Sequence, residues 1–237
     1  MASRQAPDTA PVRRPLSYDT VIREAVTFID DHGLADLTMR RLGQRLGVEA
    51  MSLYRYVDGR EALLDGVVSH VTGSLQIDPH RPLGPTDGWH AFMHSVAGQV
   101  RSIALEHPKV FPLVATRHPS APWLRPPLRS LDLVEAFLEG LTSRGFSDDG
   151  AVAAYRAFSC FLLGHLLLEA ATLGADTAPA EQLLAEPDHE PSGASELELL
   201  QYPNLERLRP QLSSDRSAEE FEESLENLLE RLERFVA

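Results

Sequence analysis

Residues 37–60 read LTMRRLGQRLGVEAMSLYRYVDGR. Two short helices that meet at a fixed angle need apolar side chains facing a shared core, and Leu42, Leu46, Val48 and Leu53 supply them. They also need a small residue where their backbones approach, which is Gly43, and a turn residue at ease with positive φ, which is Gly47. Thr38 is placed to cap the first helix, which runs to about Leu46, and the second runs from about Ala50 to Tyr56. The spacing predicts a helix-turn-helix. Its outward positions carry the chemistry of duplex docking. Arg40, Arg41, Arg45, Arg55 and Arg60 suit phosphates, which dominate affinity. Ala50, Met51, Ser52 and Arg55 fall on the early part of the second helix, the part that enters a major groove. Ser52 suits a base edge or a phosphate, and Ala50 and Met51 suit a thymine methyl. Tyr54 and Tyr56 offer hydroxyls to phosphates. A hairpin that only packs, with its arginines on a solvated face, leaves the agreement between turn spacing and docking chemistry unexplained.

Upstream, Val21, Ile22, Ala25, Val26, Phe28 and Ile29 form a helical apolar stripe, with Ser17 as N-cap and His32-Gly33 as the stop. Residues 1–15, rich in Pro and polar groups, read as a flexible arm. Downstream, Asp58 and Glu61 have the capping-box spacing for a fourth helix reaching about Ile77. Asp78–Gly88, with three Pro and two Gly, reads as a connector. Further helices are expected at about 88–106, 110–116, 123–143, 148–173 and 217–236, with residues 174–216 less regular. The chain therefore reads as all-α. An arm (1–15) precedes a three-helix helix-turn-helix domain (16–60), and a larger C-terminal helical bundle (61–237) follows.

The net charge of −13 argues against a general nucleic-acid coat, but the charge is uneven. Residues 1–60 hold nine Arg against eight acids, whereas residues 77–237 hold thirteen basic residues against twenty-five acids. No apolar run nears the ~20 residues that span a bilayer. Arg4, Arg13 and Arg14 stand at the start without an apolar stretch, so the expected location is the cytoplasm with no membrane partner. The single cysteine, Cys160, excludes an internal disulfide.

Residues 17–70 resemble the DNA-binding domain of the tetracycline-repressor (TetR) family, through LTMRRLGQRLGVEAMSLYRYV and the EALLD that follows. The resemblance implies that Thr38 and Arg40 lie at the DNA end of the motif's first helix. It implies that Ala50, Met51, Ser52, Tyr54, Arg55 and Tyr56 form the recognition helix, and that Arg60 meets a phosphate. Asp58 departs from the pattern, standing where many relatives carry Lys or Gly. A carboxylate there repels phosphate unless it turns inward as a cap.

The remaining chain is far larger than DNA binding requires. Phe221, Leu225, Leu228, Leu229, Leu232 and Phe235 follow helical spacing, with Ser217 and Glu220 as a capping-box pair. The helix at 148–173 is apolar nearly all round, with small residues at Ala153, Ala157, Cys160, Gly164 and Ala171. Such a helix needs cover on every side, from its own domain and from a partner subunit. The TetR resemblance implies a homodimer through these two helices, with Ala157, Cys160, Gly164, Leu225, Leu228 and Leu232 at the interface. It also implies a mainly apolar ligand pocket among the middle helices, with Gln76, Phe92, Phe111, Trp123, Tyr155 and Phe158 as candidate liners.

The sequence carries no catalytic constellation. His90 and His94 have the spacing of a chelating pair but no third ligand nearby, Cys160 reads as a core residue, and His165 reads as a core histidine or a pocket hydrogen-bonder. No P-loop, G-x-G-x-x-G after a strand or G-x-S-x-G occurs, so no catalytic residue, metal or cofactor is expected. The expected function is a dimeric transcription regulator that binds double-stranded operator DNA, a repressor released by a small, mainly apolar effector. The alternatives are a DNA-associated dimeric structural protein without an effector, or a helical enzyme fused to a DNA-binding head.

Overall fold

The computed structural model describes residues 16–79, 88–116, 130–177 and 202–236. Within them the chain is helical, and the only extended pairing is one antiparallel bridge between Phe146 and Val236. The expected arm and Trp123 lie outside the described residues.

The head is built from α1 (Tyr18–His32), α2 (Met39–Leu46), α3 (Ala50–Leu53) and the start of α4 (Gly59–Thr72). The Thr20 amide donates to Ser17 Oγ at 3.2 Å, and the Arg41 amide donates to Thr38 Oγ1 at 3.2 Å, so both expected caps form. Gly47 takes φ +68°, the left-handed conformation a side chain resists, and turns the chain from α2 toward α3. A Cβ at Gly43 would lie 2.9 Å from the Val48 carbonyl oxygen, so only glycine lets α2 approach the start of α3 this closely. Leu42 and Leu53 are buried beneath this turn with the α1 stripe and Leu37. Each such burial contributes about 1.5–3 kcal/mol.

The body contains α5 (Trp89–Glu106), α6 (Phe111–Thr116), α7 (Leu131–Thr142), α8 (Asp148–Thr172), α9 (Pro203–Leu212) and α10 (Ser217–Leu232), with a 3-10 turn at Glu233–Phe235. The long α8 runs through the middle and packs against α5, α6, α7 and α10. By length and composition α8 is apolar enough to cross a membrane; here it is the central helix of the body. Arg101 on α5 holds Glu169 on α8 in a bidentate pair, at 2.5 Å and 3.1 Å, and its guanidinium lies over the Phe221 ring of α10. Glu169 is only 6% exposed, so loss of Arg101 would strand a buried charge. Nothing on α9 is buried within the chain, and Tyr202, Leu205 and Leu212 stand exposed along it.

Several boundaries differ from the sequence expectation. The motif's second helix ends at Leu53, because the Tyr56 and Val57 amides both return to the Leu53 carbonyl in a tight turn that buries Val57. Asp58 forms no side-chain cap; its backbone (φ −83°, ψ 58°) departs from the extended conformation that N-cap residues usually take. Ser217 is the first helical residue of α10 and not its cap; Asp215 Oδ1 accepts from both its amide and its hydroxyl. The final helix stops at Leu232 because Val236 is drawn into the bridge with Phe146.

Candidate DNA-reading face and ligand cavity

Thr38, Arg40, Met51, Tyr54 and Arg55 share the outer side of the head as exposed residues, with Ala50, Ser52, Tyr56 and Arg60 half-buried beside them. Met51 is 75% exposed, a large apolar side chain presented to solvent at the tip of α3. The arginines divide into two groups. Within the described residues nothing engages Arg40 or Arg55. Arg45 is clasped against α1 by Glu24 and by Asp31 Oδ2 at 2.6 Å, and lies over the Phe28 ring. The hydrogen bonds it donates to Asp31 and Glu24 raise its pKa further above the ordinary arginine value. Arg41 pairs with Asp36, and Arg60 reaches the Leu34 carbonyl at 3.4 Å. Arg45 therefore braces α2 on α1 and is not presented as a phosphate donor.

A polar joint links this head to the body. His107, at the corner between α5 and α6, has its Nδ1 2.7 Å from Asp30 Oδ2 near the end of α1. Lys109 donates to the Asp31 carbonyl at 3.2 Å. Burial pushes the Asp30 carboxyl above its ordinary pKa, a rise that the His107 hydrogen bond only partly offsets. Its other oxygen, Oδ1, is buried without a hydrogen-bond partner. The residue next in sequence, Asp31, is the one that clasps Arg45, so the joint continues into α2.

A partly open cavity of about 370 Å³ lies between α4 and the helices of the body, within the range of small-molecule sites. Val68, Ser69 and Thr72 line it from α4, Val96 and Val100 from α5, and Val114 from α6. Ser130, Leu133, Val134 and Phe137 close one side, and Tyr155, Phe158, Ser159 and Leu162 of α8 the other. Phe137 and Phe158 are stacked, with centroids 5.3 Å apart and planes 15° from parallel. Burial raises the Tyr155 phenol to about 12. The hydroxyls differ in what they have left to give. Thr72 donates to the Val68 carbonyl and Ser130 caps α7, whereas Ser159 makes no hydrogen bond to a described residue.

Of the residues expected to line a pocket, Tyr155 and Phe158 stand on the wall of this cavity. Phe92 does not: its ring packs onto Gly140 and under the Arg144 guanidinium, 4.7 Å from the ring centre. Phe111 does not either; it is 0% exposed, a core residue at the start of α6. Gln76 lies exposed, its backbone N–H and C=O both clasped by the Gln99 side chain. Phe137 and Ser159 were not anticipated, since an aromatic in one helix and a serine in another carry no pattern that connects them.

The outward stripe of α8 runs through Val152, Arg156, Cys160, Gly164 and Leu168, all exposed, with Ala157 half-buried beside it. Leu168 is 73% exposed, and a Cβ at Gly164 would meet nothing within 4 Å. On α10, Leu225 and Leu232 face inward and are buried in their own body with Phe221 and Leu229, which corrects their expected place at an interface; Leu228 is half-buried. His94 is held by Glu226 on α10 at 2.8 Å. Among the described residues no three His, Cys, Asp or Glu side chains converge.

Comparison with known proteins agrees with this geometry. Residues 21–67 match the family described as bacterial regulatory proteins, tetR family, and residues 81–236 match the tetracyclin repressor-like C-terminal domain. The tetracycline repressor protein class E of Escherichia coli is 32% identical over 157 residues, spanning 66% of this chain and 70% of its own. A possible TetR family transcriptional regulator from Streptomyces coelicolor superposes with a TM-score of 0.70 at 26% identity, covering 92% of this chain and 99% of its own. The Streptomyces coelicolor TetR family protein ActR, solved in complex with actinorhodin, gives 0.67 at 25% identity, covering 94% and 98%.

Proposed function

This chain belongs to the TetR family of regulators, and we propose that it is a homodimeric repressor released from its operator by a small, mainly apolar effector. It is a DNA-binding transcription regulator. In this reading its work is regulatory, carried out in the cytoplasm on the DNA it binds. The observation that carries the proposal is α4. Its first turns pack on α1, where Gly66 meets Ile22 and Tyr18, and its last turns line the cavity through Val68, Ser69 and Thr72. One rigid helix thus touches both the reader and the space where an effector fits.

In this reading residues 16–60 read DNA after an arm at 1–15, and residues 61–237 sense and dimerise. Arg40, Arg55 and Arg60, with Thr38 and the hydroxyls of Tyr54 and Tyr56, meet phosphates. Ala50, Met51 and Ser52 enter the groove. Two heads related by a dimer axis read half-sites about one helical turn apart, ~34 Å. An effector that binds better when α4 is displaced favours the spacing that no longer fits. The His107–Asp30 joint offers a second route, from the α5–α6 corner to α1 and, through Asp31, to Arg45. The exposed apolar stripe of α8 supports a partner copy, since Leu168 and Val152 stand uncovered among the described residues. ActR, whose fold this chain shares, holds a small molecule.

Duplexes selected from a random pool by the purified protein should converge on a two-fold symmetric site. Compounds that release this duplex should lose their effect in Val100→Phe, which fills the cavity without touching the head. Gly164→Trp should move the protein from dimer to monomer in sedimentation. A native-like dimer in that variant overturns the α8 interface. Release that persists in Val100→Phe overturns the cavity as the sensor.

A further inference from the structure

The cavity wall also specifies what kind of molecule it takes, an inference that rests on the proposed sensor role. Among the described residues, every side chain on the wall is apolar or carries a neutral hydroxyl. An ionised ligand group would lose its water there and meet no opposite charge among those residues, a cost of several kcal/mol. The hydroxyls are not equivalent. Thr72 and Ser130 are already committed to their own helices, and Ser69 is exposed to solvent. Ser159 is 7% exposed, lies on the wall, and makes no hydrogen bond to a described residue. A serine inside a helix ordinarily returns its hydroxyl to a carbonyl one turn back, and here it does not. Its hydroxyl therefore stays available at the cavity wall to a partner from outside the chain. Tyr155 stands one turn before Ser159 on the same wall, and burial keeps its phenol protonated to about pH 12, so it too is a neutral group. Facing these are the stacked rings of Phe137 and Phe158, a flat apolar surface of the kind that favours another ring offset or edge-on.

We infer that the effector is an uncharged, ring-containing molecule that places one neutral oxygen, a hydroxyl or carbonyl, against Ser159 and its rings against Phe137 and Phe158.

Three probes of nearly one shape test this: naphthalene, 2-naphthol and 2-naphthoate, titrated into the full-length dimer by calorimetry or ligand-observed NMR. Naphthalene should bind the wild type and fail to bind Val100→Phe. 2-Naphthol should bind more tightly than naphthalene by roughly twofold to tenfold, the size of one net hydrogen bond. 2-Naphthoate should bind at least tenfold more weakly than 2-naphthol. Ser159→Ala, a change helices accept readily, should remove the advantage of 2-naphthol and leave naphthalene unchanged. If naphthalene does not bind the wild type, or binds Val100→Phe as well, the cavity reading itself fails and the effector class falls with it. If naphthalene behaves as expected but Ser159→Ala keeps the advantage of 2-naphthol, the Ser159 contact is wrong and the cavity stands. If 2-naphthoate binds as tightly as 2-naphthol, the uncharged class is wrong.

Discussion

The head and the body solve opposite packing problems. In the head, each turn is closed by a group beside it in sequence: Ser17 and Thr38 cap, Gly47 turns, and Gly43 admits the neighbouring backbone. Its charged side chains brace the same short span, as Arg45 does between Glu24 and Asp31. The body leaves a partly open cavity of about 370 Å³ between its helices and a stripe of α8 uncovered among the described residues. Unfilled volume forfeits dispersion contacts and weakens the fold locally. A rigid reader mounted on a body with room to repack is what a ligand-driven switch requires, because a ligand shifts an equilibrium only by its differential affinity for the two states.

The sharpest way to break this contrast is Gly43→Val. A Cβ there presses on the Val48 carbonyl, and backbone cannot swing aside as a side chain end can. The variant should lose operator binding and at least about 3 kcal/mol of head stability. Thermal denaturation should then show the head melting ahead of a native-like body. A single transition at the wild-type temperature would mean the head tolerates what its geometry forbids.

A second test separates arginines that read from one that braces. Arg55→Ala should weaken duplex binding and reduce the slope of log K against log salt by about 1. Arg45→Ala should leave that slope unchanged and lower the head's melting temperature, since its guanidinium is already held by Glu24 and Asp31. A reduced slope for Arg45→Ala would make it a phosphate contact after all.

The joint between the two regions gives a smaller effect, with a sign fixed by burial. Asp30 titrates above its ordinary value of 3.8 in the folded protein, so the folded state holds its proton where the unfolded state has lost it. Folding stability from this group therefore rises as pH falls through the folded pKa toward 3.8. The stability of wild type relative to Asp30→Asn should accordingly increase across that window, measured by urea denaturation at stepped pH. A relative stability that falls with pH would show that the His107 pair outweighs the burial. Smallest of all is a spectroscopic signature of the cavity wall. One of the five tyrosines should ionise near pH 12 in an absorbance titration of the folded protein, and that step should vanish in Tyr155→Phe.

The sequence by itself determined the head, because its signals are local. A capping threonine, two glycines four residues apart and four apolar residues specify two helices and their angle without reference to the rest of the chain. The fold class followed from helical periodicity in the same way, and the central place of α8 from its apolar circumference. Those signals do not say which apolar residue faces which space. Phe92, Phe111, Phe137 and Phe158 are equivalent in sequence, yet two are core and two line the cavity. That division depends on the crossing of α4, α5, α7 and α8, helices far apart in the chain, and on Gly140 making room for Phe92. Arg45 is likewise indistinguishable from Arg40 until α1 is laid beside α2 and the carboxylates of Glu24 and Asp31 come within reach. Leu225 and Leu232 pointed to a partner only until α10 was docked on α8, which buries them in their own body and leaves the stripe through Gly164 as the open face. Only tertiary structure makes such choices, because burial, pairing and the shape of an empty space belong to several segments at once.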